Sequence, residues 1–347
     1  MTSTISTAGT DTPSGTLAGP EAVLRIASGY RTARVLFTAV ELGVFARLAD
    51  GALDPHLLVE QLEIEPIGGR DLVLALLGLG LLERDERGHV RNTAAAARFL
   101  VPGGDAHIGG FLTFLDRVLH PAWDGLTERL RGGGAGGQAV DPFGELYGET
   151  GGRDGFLAAM DVLNAPIGEQ LAGLDWSGIS TVVDVGGARG NVAAALVDAH
   201  PHLTATVFDL PGIEPAFTAH VEARGVADRV HFRAGDFFTD PLPQADAVVF
   251  GHVLHNWPER ERVGLLRAAA AAVPAGGRVL VYDPILDATA PALNTVLASL
   301  NMLVWSAGGS EYTVAQLVRW LAGAGLSYVE HRLLGAGSTV VTARKRG

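Results

Sequence analysis

From about Pro20 to Val101 the apolar residues recur at helical spacings. Leu24, Ile26, Val35, Leu36, Val40 and Leu42 fall at mixed intervals that leave one side apolar. Asp54 opens a helix–turn–helix-like run through Leu57, Leu58 and Leu62 and on to the stretch Leu72 to Leu82. Residues Leu81 to Val90 (Leu-Leu-Glu-Arg-Asp-Glu-Arg-Gly-His-Val) read as a short β-ribbon, which would make this part a winged helix. A second helical stretch is expected over His107 to Leu130, and the glycines of 132–137 read as a loop. Helical pattern resumes from Arg153 to Leu171, with Gly173 as its stop. Residues 1–19 are Ser-, Thr- and Gly-rich with almost no large apolar groups, and they are expected to form a disordered tail.

After Trp176 the pattern changes to strands alternating with helices. Thr181–Val185, Val207–Asp209, Val230–Gly235, Ala247–Phe250 and Val279–Asp283 are strand-like at regular intervals. That rhythm predicts an α/β domain with a parallel sheet covered by helices on both faces. Tyr328–Leu334 and Thr339–Ala343, separated by Gly335 to Ser338, read as a closing hairpin.

Composition narrows the functions available. The 347 residues carry a formal net charge of −12, so phosphate backbones are repelled and nucleic acid is not the expected partner. A winged helix that reads DNA needs clustered basic residues, and Arg70 stands alone between Gly69 and Leu82. The chain has no cysteine, which excludes disulfides and thiolate chemistry and suits a reducing cytoplasm. The apolar stretch Leu72–Leu82 is too short to span a membrane, and the N-terminus lacks a secretory pattern.

Acidic residues at strand ends point to the chemistry. Asp184, Gly186, Gly187 and Gly190 lie in Val-Asp-Val-Gly-Gly-Ala-Arg-Gly, between a strand and a helix. Val185 stands where a dinucleotide fingerprint needs its first glycine, and Asp184 would repel a pyrophosphate but suits a cationic amino group. Asp209, followed by Leu210, can take both ribose hydroxyls. In Gly235-Asp236-Phe237, the Asp can accept from an adenine amino group and the Phe can stack on the ring. His255 falls between a strand and a helix at the ligand edge, and Asn256, Pro258 and Glu259 read as a capping-box-like helix start. His252 and His255 are spaced to suit a metal pair, but no third ligand is evident, so no metal is expected. Asp283, at a strand end, and Glu311, before a turn capped by Thr313, are each able to orient an imidazole.

Taken in order, Val-Asp-Val-Gly-Gly-x-x-Gly, Phe-Asp-Leu-Pro, Gly-Asp-Phe-Phe, Leu-His-x-Trp and Gly-Gly-x-Glu-x-Thr resemble the small-molecule O-methyltransferases, both plant caffeate and flavonoid enzymes and a bacterial natural-product branch. The resemblance covers nearly the whole chain after the tail. It implies a class I methyltransferase Rossmann-like sheet, mostly parallel with an antiparallel last strand, behind an all-α, winged-helix dimerisation domain. It implies S-adenosylmethionine as cofactor, a homodimer, and a small-molecule acceptor. The implied division is residues 20–105 for dimerisation, 106–175 as a helical linker and pocket region, and 176–347 for cofactor binding and catalysis. His255 matches the family's general base, and Asp283 and Glu311 match its acidic partners. Phe156, Met160, Trp257 and Met302 match the substrate wall, with His120, Trp123 and His252 as further pocket positions. Departures are Ala188 for a frequent Gly, Asn256 for Asp, Asp283 for Glu, and Gly251 for a plant Lys. The expected reaction is methyl transfer to a hydroxyl, of phenolic type, with His255 removing the proton. The alternatives are a carbon or nitrogen acceptor, or a cofactor-binding relative of hydroxylase or pericyclase type that transfers no methyl.

Overall fold

The computed structural model describes residues 19–132, 153–306 and 308–347. Residues 1–18 of the expected tail (1–19) and most of the glycine loop (133–137) lie outside the described residues. The chain divides into two compact units, residues 1–97 and 98–347.

The first unit is helical. Helices Pro20–Ala27, Tyr30–Glu41 and Val44–Arg47 precede the pair Pro55–Gln61 and Pro66–Gly78. Both members of that pair start on proline, whose missing N–H loses nothing in a first turn. Asp54 caps the first through the His56 N–H at 2.8 Å, and Glu65 caps the second through the Ile67 N–H at 2.9 Å. Strands β1 (Leu82–Arg84) and β2 (Val90–Asn92) form the ribbon expected from sequence. Arg70 is paired with its neighbour Asp71 at 2.8 Å.

In the second unit the stretch expected as one helix over His107–Leu130 is interrupted. Helix Gly109–Phe114 widens into a π turn at Leu115–Leu119, then continues as His120–Trp123 and Leu126–Leu130. Pro121 lies at the start of the continuation and has no N–H to sustain the regular ladder. Helix Arg153–Ala172 then leads into the sheet, ending just before Gly173.

Strands β3 (Thr181–Val185), β4 (Thr204–Asp209), β5 (Val230–Ala234), β6 (Ala247–Gly251), β7 (Arg278–Asp283), β8 (Leu326–Leu333) and β9 (Thr339–Lys345) form one sheet. Its order is β5-β4-β3-β6-β7-β9-β8. All neighbours up to β7 are parallel, and β9 runs antiparallel between β7 and β8. The central strands are buried on both faces, as their near-continuous apolar runs require. One apolar cluster joins Val183, Phe250 and Val281 to Leu265, Tyr312 and Trp320; the other joins Val182, Val249 and Leu280 to Ile167 and Val192. Among the described residues no helix is long and apolar enough to cross a membrane.

Candidate active site

A cavity of about 450 Å³ opens at the carboxyl ends of β3 to β7. Asp184, Gly186, Gly187, Asp209, Leu210, Gly235, Asp236 and Phe237 all line it. The turn after β3 uses left-handed backbone at Gly186 (φ 69°) and Gly190 (φ 80°), conformations glycine adopts at little cost. Ala188 is also left-handed (φ 46°), a strain of about 1 kcal/mol. Its N–H donates to Asp209 Oδ2 at 2.8 Å, and the Leu210 N–H donates to Oδ1 at 2.7 Å. Asp209 thus fixes the turn while each oxygen retains a second lone pair. Gly190 shapes the turn as the residue before helix Asn191–Ala199 and is not part of the cavity wall.

Burial, with the charge of Asp209, pushes Asp184 up to about 7, and burial raises Asp209 as well. Four carboxylates (Asp161, Asp184, Asp209 and Asp236) and no Lys or Arg stand among the described lining residues. Such a wall attracts a cation. A Cβ on Gly187 would overlap the Asp184 carboxylate, so the bare glycine lets that carboxylate pack directly against the turn. The acidic lining fits the adenosyl sulfonium that the sequence implies.

His255 lies in a 3₁₀ turn (Leu254–Asn256) after β6, beside the wall residues His252, Asn256 and Trp257. Its side chain is 10% exposed. Nδ1 donates to Glu311 Oε1 at 2.8 Å, while Asp283 Oδ1 stands at 3.8 Å, beyond a hydrogen bond. Glu311 is therefore the orienting partner. Asp283 is held instead by the Tyr312 hydroxyl, which donates to Oδ2 at 2.5 Å. Asp283 Oδ1 and Glu311 Oε2 are buried without hydrogen-bond partners among the described residues, and both charges act on the imidazole and on the buried Arg262. Burial lowers the pKa of His255, but the charges of Asp283 and Glu311 and the Glu311 bond outweigh it, and the net shift is upward. Burial, with the His255 charge, pushes His252 down to about 3, so that ring is neutral.

Several expectations need correction. Asn256 does not cap a helix: its Nδ2 donates to the His252 carbonyl at 2.8 Å, and helix Glu259–Ala272 starts after Pro258 with no side-chain cap. A third potential metal ligand does exist. Asp283 brings an oxygen to within 4.8 Å of ring nitrogens of His252 and His255, a juxtaposition of strand ends that residue spacing does not reveal. Phe156, Met160, His252 and Trp257 line the cavity, but His120, Trp123 and Met302 do not. Trp123 donates to Asn301 at 3.0 Å, and Met302 is buried with its carbonyl bonded to Ser306. The structure adds lining residues that no motif marked, among them Asp161, Asn164 and Tyr282. Asp161, whose buried carboxyl is pushed up to about 6, pairs with Arg189 at 3.3 Å.

The O-methyltransferase domain family matches residues 137–327, and the O-methyltransferase dimerisation domain family matches residues 24–102. The chain is 43% identical over 336 residues to the tetracenomycin polyketide synthesis 8-O-methyl transferase TcmO of Streptomyces glaucescens, covering 96% of this chain and 99% of that one. It is 39% identical over 297 residues to the N,N-dimethyltransferase OxyT of Streptomyces rimosus, covering 84% and 86%. The solved structure of human N-acetylserotonin methyltransferase with S-adenosylmethionine is similar at a TM-score of 0.85 and 29% identity, covering 96% of this chain and 100% of that one. An acid-walled cavity on a seven-stranded sheet with one antiparallel inner strand, a paired imidazole beside it, and a family match over more than half of the length lead to one assignment: this chain belongs to the S-adenosylmethionine-dependent O-methyltransferases.

Proposed function

We propose that the chain methylates a phenolic hydroxyl of an aromatic, polyketide-like acceptor, with His255 as general base. The observation that carries this is the 2.8 Å bond from His255 Nδ1 to Glu311. It fixes the tautomer that leaves Nε2 free to accept a proton. A phenol has a pKa of about 10 and is largely neutral at pH 7, so removing its proton is the step in which the protein has most to contribute. Glu311, with Asp283 3.8 Å from the same ring nitrogen, stabilises the imidazolium that forms. When bound, the cofactor supplies a methyl group made electrophilic by its positive sulfur. Asp184, Asp209, Leu210, Asp236, Phe237 and the glycines 186, 187 and 235 hold it, and Gly190 shapes their turn. The apolar side of the cavity, with Phe156, Met160 and Trp257, receives the aromatic acceptor. Holding acceptor and methyl in line about 3 Å apart supplies several kcal/mol of the barrier.

The relative TcmO acts in polyketide synthesis, which supports a hydroxylated aromatic acceptor. In this reading residues 20–105 serve dimerisation, 106–175 shape the acceptor side, and 176–347 bind the cofactor. The chain works as a homodimer in the cytoplasm. Helix Pro20–Ala27 supports the dimer, because Val23, Leu24 and Ile26 are 56–69% exposed. A monomer mass in light scattering would rule the dimer out. The reaction is tested by incubating the protein with S-adenosylmethionine and hydroxylated polyketide aromatics and assigning the product by NMR. A new O-methyl resonance with release of S-adenosylhomocysteine is expected; methylation at nitrogen or carbon would overturn the assignment.

A further inference from the structure

Tyr282 precedes Asp283 on β7, so the two side chains fall on opposite faces of the sheet. Asp283 faces His255, whereas Tyr282 belongs to the apolar cluster that contains Val249 and Val192. The β6–β7 register pairs Tyr282 with Gly251. A Cβ on Gly251 would overlap the Cζ and hydroxyl of Tyr282. The phenol therefore leans across β6, into the volume that a side chain at 251 would fill, and toward β3, which carries Asp184. Both Tyr282 and Asp184 line the cavity. Burial, then the charge of Asp184, raises the phenol far above its ordinary range, so it stays a neutral donor. Among the described residues its hydroxyl makes no hydrogen bond.

The ends of β4 and β5 carry Asp209, Asp236 and Phe237, the groups suited to adenosine. That leaves the β3, β6 and β7 side, next to His255, for the amino-acid end and the methyl. The amino-acid carboxylate is the cofactor's one anion, and it enters a wall with four carboxylates and no described Lys or Arg. It needs neutral donors.

We infer that Tyr282 is a cofactor-positioning residue whose hydroxyl donates to the carboxylate of the cofactor's amino-acid end, with Gly251 kept bare so that the phenol can reach it. The inference rests on the cavity being the cofactor site. Calorimetry tests it with two ligands, S-adenosylhomocysteine and 5′-methylthioadenosine, the second lacking the amino-acid end. Tyr282→Phe is expected to weaken S-adenosylhomocysteine about tenfold, as loss of one hydrogen bond to a charged group does. It should leave methylthioadenosine within about twofold of wild type, a selectivity that general disruption of the cavity would not give. Gly251→Ala, whose methyl displaces the ring, should reproduce the pattern; if that variant does not fold, the near-isosteric Tyr282→Phe decides alone. Unchanged S-adenosylhomocysteine affinity in Tyr282→Phe, or equal weakening of both ligands, overturns the inference. Wild-type protein that binds neither ligand overturns the underlying cofactor site as well.

Discussion

His255 can act as a base only while its imidazole is neutral. Its pKa is raised above the ordinary 6.5 because two carboxylates outweigh the effect of burial. The acid limb of kcat/KM is therefore expected above that value, with activity lost as pH falls through it. Glu311→Gln removes one charge and the bond to Nδ1, so the limb should move to lower pH. Turnover at pH 8 should also fall, by roughly ten- to hundredfold, within the range of general-base effects. A pH–rate profile of both proteins checks this, and an acid limb that stays in place contradicts it. His255, Glu311 and Asp283 were legible in sequence because each stands in a turn or at a strand end among recognisable neighbours. Which carboxylate makes the bond was not legible. That choice depends on Tyr312, which draws Asp283 away through a contact spanning 29 positions.

Among the secondary elements, the acid–base group depends on two loops meeting. One follows β6 and carries His255; the other precedes helix Val314–Gly323 and carries Glu311. Arg262, buried on helix Glu259–Ala272, holds both. It donates to the Trp257 carbonyl at 2.6 Å and to the Ser310 carbonyl at 2.7 Å, and its guanidinium lies 4.9 Å from the centre of the Tyr312 ring. Arg262→Ala leaves those carbonyls unsatisfied and opens a void, and a stability loss of about 3 kcal/mol is expected in urea denaturation. A loss under about 1 kcal/mol would show that the loops hold each other without it. Sequence gave no sign of this role, because an arginine three residues into a polar helix start reads as solvated surface. The capping box of the helix Val314–Gly323 was partly legible. Thr313 was expected as its cap, and Thr313 and Gln316 bond each other reciprocally. Asn256 misled because a capping pattern describes the start of a helix only when the backbone enters it directly. Here a 3₁₀ turn intervenes.

For the whole molecule, the alternation of apolar runs carried the sheet, its antiparallel finish and the winged-helix ribbon, since each follows from local periodicity. The cavity wall was harder to read. Phe156 and Met160 reach it from helix Arg153–Ala172, but Met302, Trp123 and His120 do not, because packing between helices decides which face turns inward. Tyr282 escaped notice since a tyrosine in a buried strand looks like core. The account stands most directly on His255→Ala, assayed for turnover with S-adenosylhomocysteine affinity measured in parallel by calorimetry. Turnover should fall by about 10²–10⁴ while the Kd stays within about twofold. Undiminished turnover in a variant that binds the product normally would contradict it.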